Sequence, residues 1–351
     1  MSEFRVDKLK NKDGTAGPSI AGITTFSGKS GMQLPVGPTE YRGGRGRGIS
    51  AGGIDPATLS LMDYVTIATR GNSKDFGDIK VVRKSPAACA SSTRGILHGG
   101  YAPGYSSDIQ YLTISSQGGT YDFGDGVEYS GWGGACASET RGVIAGGWNS
   151  HPGNTALNRN LIEYVTIATT GRSNAFGDLT QGRQTDGALA SPTRGVWVSG
   201  ATYTSHPSYS HYKRIDYVTI ATTGDAVDFG EESIPGWGSG KCSNSIRGVI
   251  GGGYTNTPTG TYSSNTRYIT LATKGNSIAF GDLTGIGDRS YIAAMSSQVR
   301  GIFSGGGNAS NVTNTIEYVT IATLGNGTDF GDLTGTRSQH QSLSDSHGGL
   351  G

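Results

Sequence analysis

The chain has 351 residues, with 60 glycines and 11 prolines, only 16% charged residues and a net charge of +1. Glycine without a Gly-x-y period excludes collagen, and low charge with abundant Thr, Val, Ile and Tyr argues against disorder and for short strands joined by tight turns. Near-neutrality gives no global nucleic-acid signal, and no run of about 18 apolar residues offers a membrane span.

Residues 1–46 stand apart as an extended N-terminal arm. Through Arg47 the chain carries eight Lys/Arg and four Asp/Glu, so this stretch is +4 and the remainder −3. The opening MSEFRVDKLK lacks an apolar core, so no signal peptide is expected and the protein should be made and kept, or assembled, in a cytosol.

From residue 47 onward the chain repeats itself. MDYVTIATRGNSKDFGD, IQYLTISSQGGTYDFGD, IEYVTIATTGRSNAFGD, IDYVTIATTGDAVDFGE, TRYITLATKGNSIAFGD and IEYVTIATLGNGTDFGD are six copies of one unit. Their tyrosines are Tyr64, Tyr111, Tyr164, Tyr217, Tyr268 and Tyr318. Their phenylalanines, each 12 residues later, are Phe76, Phe123, Phe176, Phe229, Phe280 and Phe330. An Arg-Gly string precedes each copy, at Arg47, Arg94, Arg141, Arg194, Arg247 and Arg300, spaced by 47 or 53 residues. A period near 50 residues suits one four-stranded propeller blade. The order is a small-residue strand A near the axis, strand B from Arg-Gly, strand C from Tyr-Val-Thr-Ile, and strand D ending near Phe-Gly-Asp.

The chain enters its first unit at strand B and finishes in a strand-A-like segment, around 339–344. The expectation is therefore an all-β, six-bladed β-propeller over 47–351, closed by its last strand beside its first. The blades fall near 47–80 plus 337–345, 84–127, 131–180, 184–233, 239–284 and 290–334. Closure removes the exposed sheet edges. Cys89, Cys136 and Cys242 each lie 13 residues after a repeat Phe, where other copies have Leu189 and Leu343. They are expected as buried free thiols in an apolar slot; a metal cluster is the weaker alternative, since no CxxC or paired His accompanies them.

Length varies mainly between strands B and C. These connections hold Tyr101, Tyr105, Trp148, His151, Tyr203, His206, Tyr209, His211, Tyr212, Tyr254 and Tyr262, and the D–A loops of the same face add Trp132 and Trp237. Such rings either form a ligand-binding recognition surface or fill small satellite cores under long loops. The arm joins on the opposite face.

Six acids follow Phe-Gly: Asp78, Asp125, Asp178, Glu231, Asp282 and Asp332. With the six strand-B arginines they are expected to tie strands or blades by charge-assisted bonds; six ion or phosphate sites are the alternative. The histidines show no HExxH spacing, no GxSxG elbow is present, and the repeating glycines close strand B. No catalytic residue, metal site or cofactor is expected, and the chain is not read as an enzyme.

The paired glycines closing strand B, the Tyr opening strand C and the aromatic on strand D resemble the Kelch repeat over residues 47–351. Phe stands where Kelch repeats carry Trp, and Ser199-Gly200 replaces one double glycine. This implies an interaction module. Copper ligands of galactose oxidase-type propellers and the Asp boxes of sialidases are missing. More closely, YVTIATTG…DFGDLT and the arm AGITTFSGKSGMQLPVGPTEYRGGRGRG resemble Kelch-like virion structural proteins of marine cyanophages. The resemblance implies a non-enzymatic component of a phage particle, in capsid, tail or fibre. Its arm, residues 1–46, would dock on other virion proteins and its propeller would face outward. A tail-fibre adhesin for host surface glycan is the alternative, and a polysaccharide-degrading enzyme a remote one.

Overall fold

The computed structural model describes residues 46–149, 157–205, 208–255, 260–285 and 287–350; the arm, and with it its expected docking role, lies outside the described residues. Six four-stranded antiparallel sheets form a propeller. In blade 1, strand A is Gln341–Ser344, B Arg47–Ala51, C Leu61–Thr66 and D Lys74–Asp78. The same order recurs in blade 2 (Ala87–Ala90, Arg94–His98, Ser106–Thr113, Tyr121–Ser130) and blade 3 (Gly134–Ala137, Arg141–Ala145, Leu161–Thr166, Asn174–Asp178). Blade 4 comprises Leu189–Ala190, Arg194–Ser205, Ser208–Thr219 and Val227–Glu231. Blade 5 comprises Gly240–Ser243, Arg247–Thr255, Thr261–Thr270 and Ile278–Asp282, and blade 6 Ala293–Ser296, Arg300–Ser304, Thr315–Thr320 and Thr328–Asp332. The ring closes as the sequence predicts: Gly48 pairs with Ser344 and Ala51 with Gln341.

Both faces of each blade are covered, because the apolar clusters lie in the seams between blades. One joins Phe176 and Val143 of blade 3 to Trp197 and Val218 of blade 4; another joins Phe330 and Ile302 of blade 6 to Val65 and Ile67 of blade 1. Each repeat Phe is buried and meets its Tyr edge-on, with ring centroids 5.8–6.2 Å apart in all six blades. Burial of each Phe contributes about 1.5–3 kcal/mol.

The strand-B arginines tie blade to blade by charge-assisted bonds, as expected, but through backbone carbonyls and not through the repeat acids. None pairs with an acid that follows Phe-Gly. Each lies over its own blade's Tyr, 4.3–4.9 Å from the ring centroid. Each donates through Nη1 to a carbonyl at the end of strand C in the next blade: Arg47 to Ile114, Arg94 to Ile167, Arg141 to Ile220, Arg194 to Leu271, Arg247 to Ile321 and Arg300 to Ile67, at 2.7–3.1 Å. The aromatic face and the carbonyl satisfy the cation without an anion. The acids stay at the exposed rim, where Asp78 accepts from Ser60 Oγ and Asp282 from Asn265.

The buried ion pairs are formed by residues the repeat pattern did not single out. The position before the repeat Tyr faces a residue from the D–A connection: Asp63 with Arg337, Asp216 with Arg183 (2.7 Å) and Glu317 with Arg289 (2.7 Å). In blade 2, Arg83 reaches Asp108, and in blade 5 the charges are exchanged, Arg267 with Glu232. Blade 3 has Glu163 among His98 (3.1 Å), Arg159 (3.6 Å) and the Ser173 hydroxyl (2.6 Å). Burial alone would raise the Glu163 carboxyl; His98, then Arg159 and Ser173, hold it at about 2 against an ordinary 4.5. A depressed acid stabilises the fold above its unfolded pKa and loses that contribution as pH falls toward its folded value. Glu163→Gln is therefore expected to cost about 2–3 kcal/mol at pH 7 and to flatten the acid limb between pH 4.5 and 2, read from urea midpoints across pH.

Blades also lock through glycine. The C–D turn of one blade donates to the repeat Phe carbonyl of the preceding blade, from Gly71 to Phe330, Gly118 to Phe76, and so on round the ring, at 2.7–3.1 Å. At Gly124 the backbone has φ +142, and a Cβ there would press into the Gly171 carbonyl. Gly124→Ala is expected to cost about 2–4 kcal/mol by thermal unfolding.

The glycine of Arg-Gly also leaves a hole for the neighbouring strand A. Cys89 fills it at Gly142, Cys136 at Gly195, Leu189 at Gly248, Cys242 at Gly301, Met295 at Gly48 and Leu343 at Gly95. The three thiols are free and buried, as expected, and burial pushes Cys89 up to about 12. At pH 8 a thiol reagent is expected to titrate none of them in the native protein and three after unfolding.

Candidate functional site

With the repeat motif committed to the ring, the departures from repetition remain. The axis itself is closed at both ends. On the face of the D–A connections, the residue entering each blade has φ between +48° and +69°: Ser85, Trp132, Asp186, Gly238, Tyr291 and Gln339. They form a collar: Ser85 N donates to Gln339 O, Trp132 N to Ser85 O and Asp186 N to Trp132 O, at 2.6–3.3 Å, while Gly238 N reaches Asp186 Oδ2 at 3.3 Å. A non-glycine residue in this conformation costs about 1–3 kcal/mol, which the collar's hydrogen bonds offset. Beneath it Lys241 is buried and donates to Thr185 O (2.8 Å); burial lowers its pKa and raises that of Asp186.

On the opposite face the chain end is the stopper. His347 Nε2 lies 2.7 Å from Ala90 O, Gln298 Nε2 donates to His347 O, and Gly348 and Gly349 sit where a Cβ would run into the carbonyls of Asn244 and Ala137. The cavity left between is about 50 Å³, lined by small strand-A residues including Ala88, Ala135 and Ala188. It has no room for a substrate. At the collar end, next to Gln339, His340 is also buried, 3.1 Å from Ser304 Oγ, with its pKa lowered by burial and by Arg337.

The aromatic residues gather over the collar. Tyr101, Tyr105 and Trp132 form one group, with centroids 5.2–6.3 Å apart. A second runs across blades 3 to 6. Trp148 meets Tyr203 (4.8 Å), Tyr203 meets Tyr209 (5.3 Å), and Tyr209 meets Trp237 (4.8 Å). Trp237 meets His211 (6.3 Å), His211 meets Tyr254 (6.0 Å), and Tyr254 meets Tyr262 (5.0 Å). The two groups adjoin. Burial first, then the phenols of Tyr101 and Tyr209, raises the pKa of Tyr105. Tyr291, missed because only the tryptophans stood out in the D–A connections, sits 5.4 Å from Trp237. Tyr212 bonds Thr202 across its own hairpin (3.1 Å). His151 and His206 lie outside the described residues.

Much of this surface is strand. In blades 4 and 5, strands B and C run on past a shift in register at Gly200 and Gly253 to make longer hairpins. The alternation of Tyr, Thr and Ser favours paired strands over the loops predicted. Ser199 takes φ +51, the role the first glycine has in other copies. Asn158 clamps the hairpin, donating to Tyr203 O and accepting from Tyr203 N, both 3.0 Å.

Except for the buried Trp148, these rings are half-buried. They pack on one another and still show an edge or face to solvent, so the two uses weighed for them coexist. Burial lowers His211 to about 4, so the surface holds a neutral imidazole at neutral pH. Lys84 lies 5.4 Å above the Tyr101 ring and brings a cation to this surface.

No protein-family model matches the chain, and no curated protein matches it. Among the described residues no three His, Cys, Asp or Glu side chains come together as metal ligands. No helix among them is long and apolar enough to cross a membrane.

Proposed function

We infer that the protein is a non-enzymatic structural component of a virion: a rigid ring anchored from one side and presenting the other. The supporting observation is two-facedness. The chain enters strand B at Arg47, on the face of the A–B turns, while the aromatic surface lies on the face of the B–C and D–A connections. The resemblance of arm and repeat to Kelch-like virion proteins of cyanophages supplies the setting. In this reading residues 1–46 dock on other virion proteins of capsid or tail. Deleting 1–46 is expected to leave a soluble ring with unchanged thermal unfolding that no longer incorporates into particles; normal incorporation would refute the anchoring role.

The second reading is a host-attachment adhesin that binds surface glycan. It is favoured by rings held in place by their neighbours, which bind with little further loss of side-chain entropy. A glycan array comparing wild type with Tyr209→Ala/Tyr262→Ala tests it, with at least tenfold loss of signal expected; equal signals would count against it.

A further inference from the structure

The six blades serve as one another's controls, and they disagree most at the seam between blades 2 and 3. Elsewhere strand D spans five residues; in blade 2 it spans ten, Tyr121–Ser130. Among the described residues, blade 3 alone carries an extra two-stranded ribbon, Trp148–Asn149 with Leu157–Asn158. Blades 1, 2 and 4 place an arginine seven residues after the preceding repeat Phe, at Arg337, Arg83 and Arg183, and it fills the space beside the strand-C acid. Blade 3 has Ser130 at that position. Its guanidinium comes instead from Arg159, on the B–C side, with buried His98 on the other side of Glu163. At this seam lies a cavity of about 350 Å³ lined by Val127, Glu128, Tyr129, Asn158, Arg159 and Asn160.

The lining residues fix what this cavity can bind. Arg159 is buried and held by Nε donation to Glu128 Oε2 (2.9 Å), while its Nη2 is shut away from solvent 3.6 Å from Glu163. Glu128 keeps Oε1 as an acceptor and is half exposed. The Asn160 side chain, exposed, brings a donor and an acceptor, and Tyr129 shows a ring that is 37% exposed. One cation and one anion cancel at the mouth, so nothing there favours a phosphate or a carboxylate, and Glu128 opposes both. A carboxylate that accepts and an amide that both donates and accepts match hydroxyl groups, each of which donates and accepts. An aromatic face matches the C–H face of a pyranose ring. The volume lies at the small end of ligand pockets.

We propose that the cleft between blades 2 and 3 is a binding site for a neutral saccharide, oriented by Glu128 and Asn160, with Arg159 holding Glu128 in place, and stacked on Tyr129. The site does not depend on residence in a virion; it adjoins the aromatic surface at Asn158, which clamps Tyr203, but its own lining differs from that surface. Arg159 and Glu163 keep the fold together, so the test leaves them alone. Saturation-transfer NMR on the full chain would use glucose, galactose, mannose and N-acetylglucosamine, with phosphate and N-acetylneuraminic acid as anionic probes. At least one neutral sugar is expected to bind saturably. Its affinity should fall about tenfold or more in Glu128→Gln and in Asn160→Ala and stay unchanged in Tyr209→Ala, with all three variants unfolding like wild type. The proposal fails if no neutral sugar binds at about 20 mM. It also fails if only the anionic probes bind, or if both cleft variants bind within about twofold of wild type. Loss in Tyr209→Ala alone would move the site to the aromatic surface and equally overturn it.

Discussion

Replacing Arg183 by alanine is expected to destabilise the propeller by about 3–5 kcal/mol, one of the two largest effects predicted for this chain. The guanidinium and its partner Asp216 are both fully buried, and Arg183 also donates to Ser199 O (2.8 Å). Removing it leaves a carboxylate that also accepts from Thr180 but has no counter-charge. The expected reading is a urea midpoint shifted to lower concentration with the slope retained. The double variant Arg183→Met/Asp216→Leu should recover most of that loss, because two well-packed apolar residues avoid the desolvation cost of both charges. A single variant within about 1 kcal/mol of wild type would show that Asp216 finds another partner or a proton.

Ending the chain after Thr336 is expected to abolish the folded monomer. The deletion removes the strand that pairs with Gly48–Ala51, the Leu343 side chain that fills the hole at Gly95, and the partner of buried Asp63. An unpaired buried charge costs about 3–5 kcal/mol and a lost core leucine about 2–5. Together these approach or exceed the whole stability of an ordinary domain. Size-exclusion chromatography should show aggregate, and the three thiols should titrate without denaturant. A truncated chain that elutes as a monomer with unreactive cysteines would mean that five complete blades hold the sixth without its inner strand.

The fold was legible because one string recurs six times at fixed offsets. Tyr64 to Phe76 gives a hairpin, Arg47 marks strand B, and the offset between first and last units requires closure. The ion pairs were not legible, because they join residues of variable identity: Arg83 finds Asp108, three residues before Tyr111, whereas Arg337 finds Asp63 directly before Tyr64. Blade 5 reverses the signs altogether with Arg267 and Glu232. The charge-assisted ties expected of the arginines are present, but their acceptors are the next blade's carbonyls and not the acids. Both residue types recur in every blade, but strand-B arginines lie on the Tyr side of the turn and the acids lie at the rim. The aromatic surface was visible as composition, and Trp132, Trp237 and the tyrosines do converge. Its collar was hidden, since Ser85, Asp186 and Gln339 share a backbone angle and no chemistry.

The interlocking of each inner strand with the next blade's Arg-Gly glycine has an evolutionary corollary. Every unit carries both the plug for its successor and the socket for its predecessor. A copied segment of 47 or 53 residues would therefore meet its flanking copies through ready-made joints, whichever unit were copied. Growth by tandem duplication needs no new complementary surface under such a scheme, and the number of units is set by the angle at which successive sheets stack.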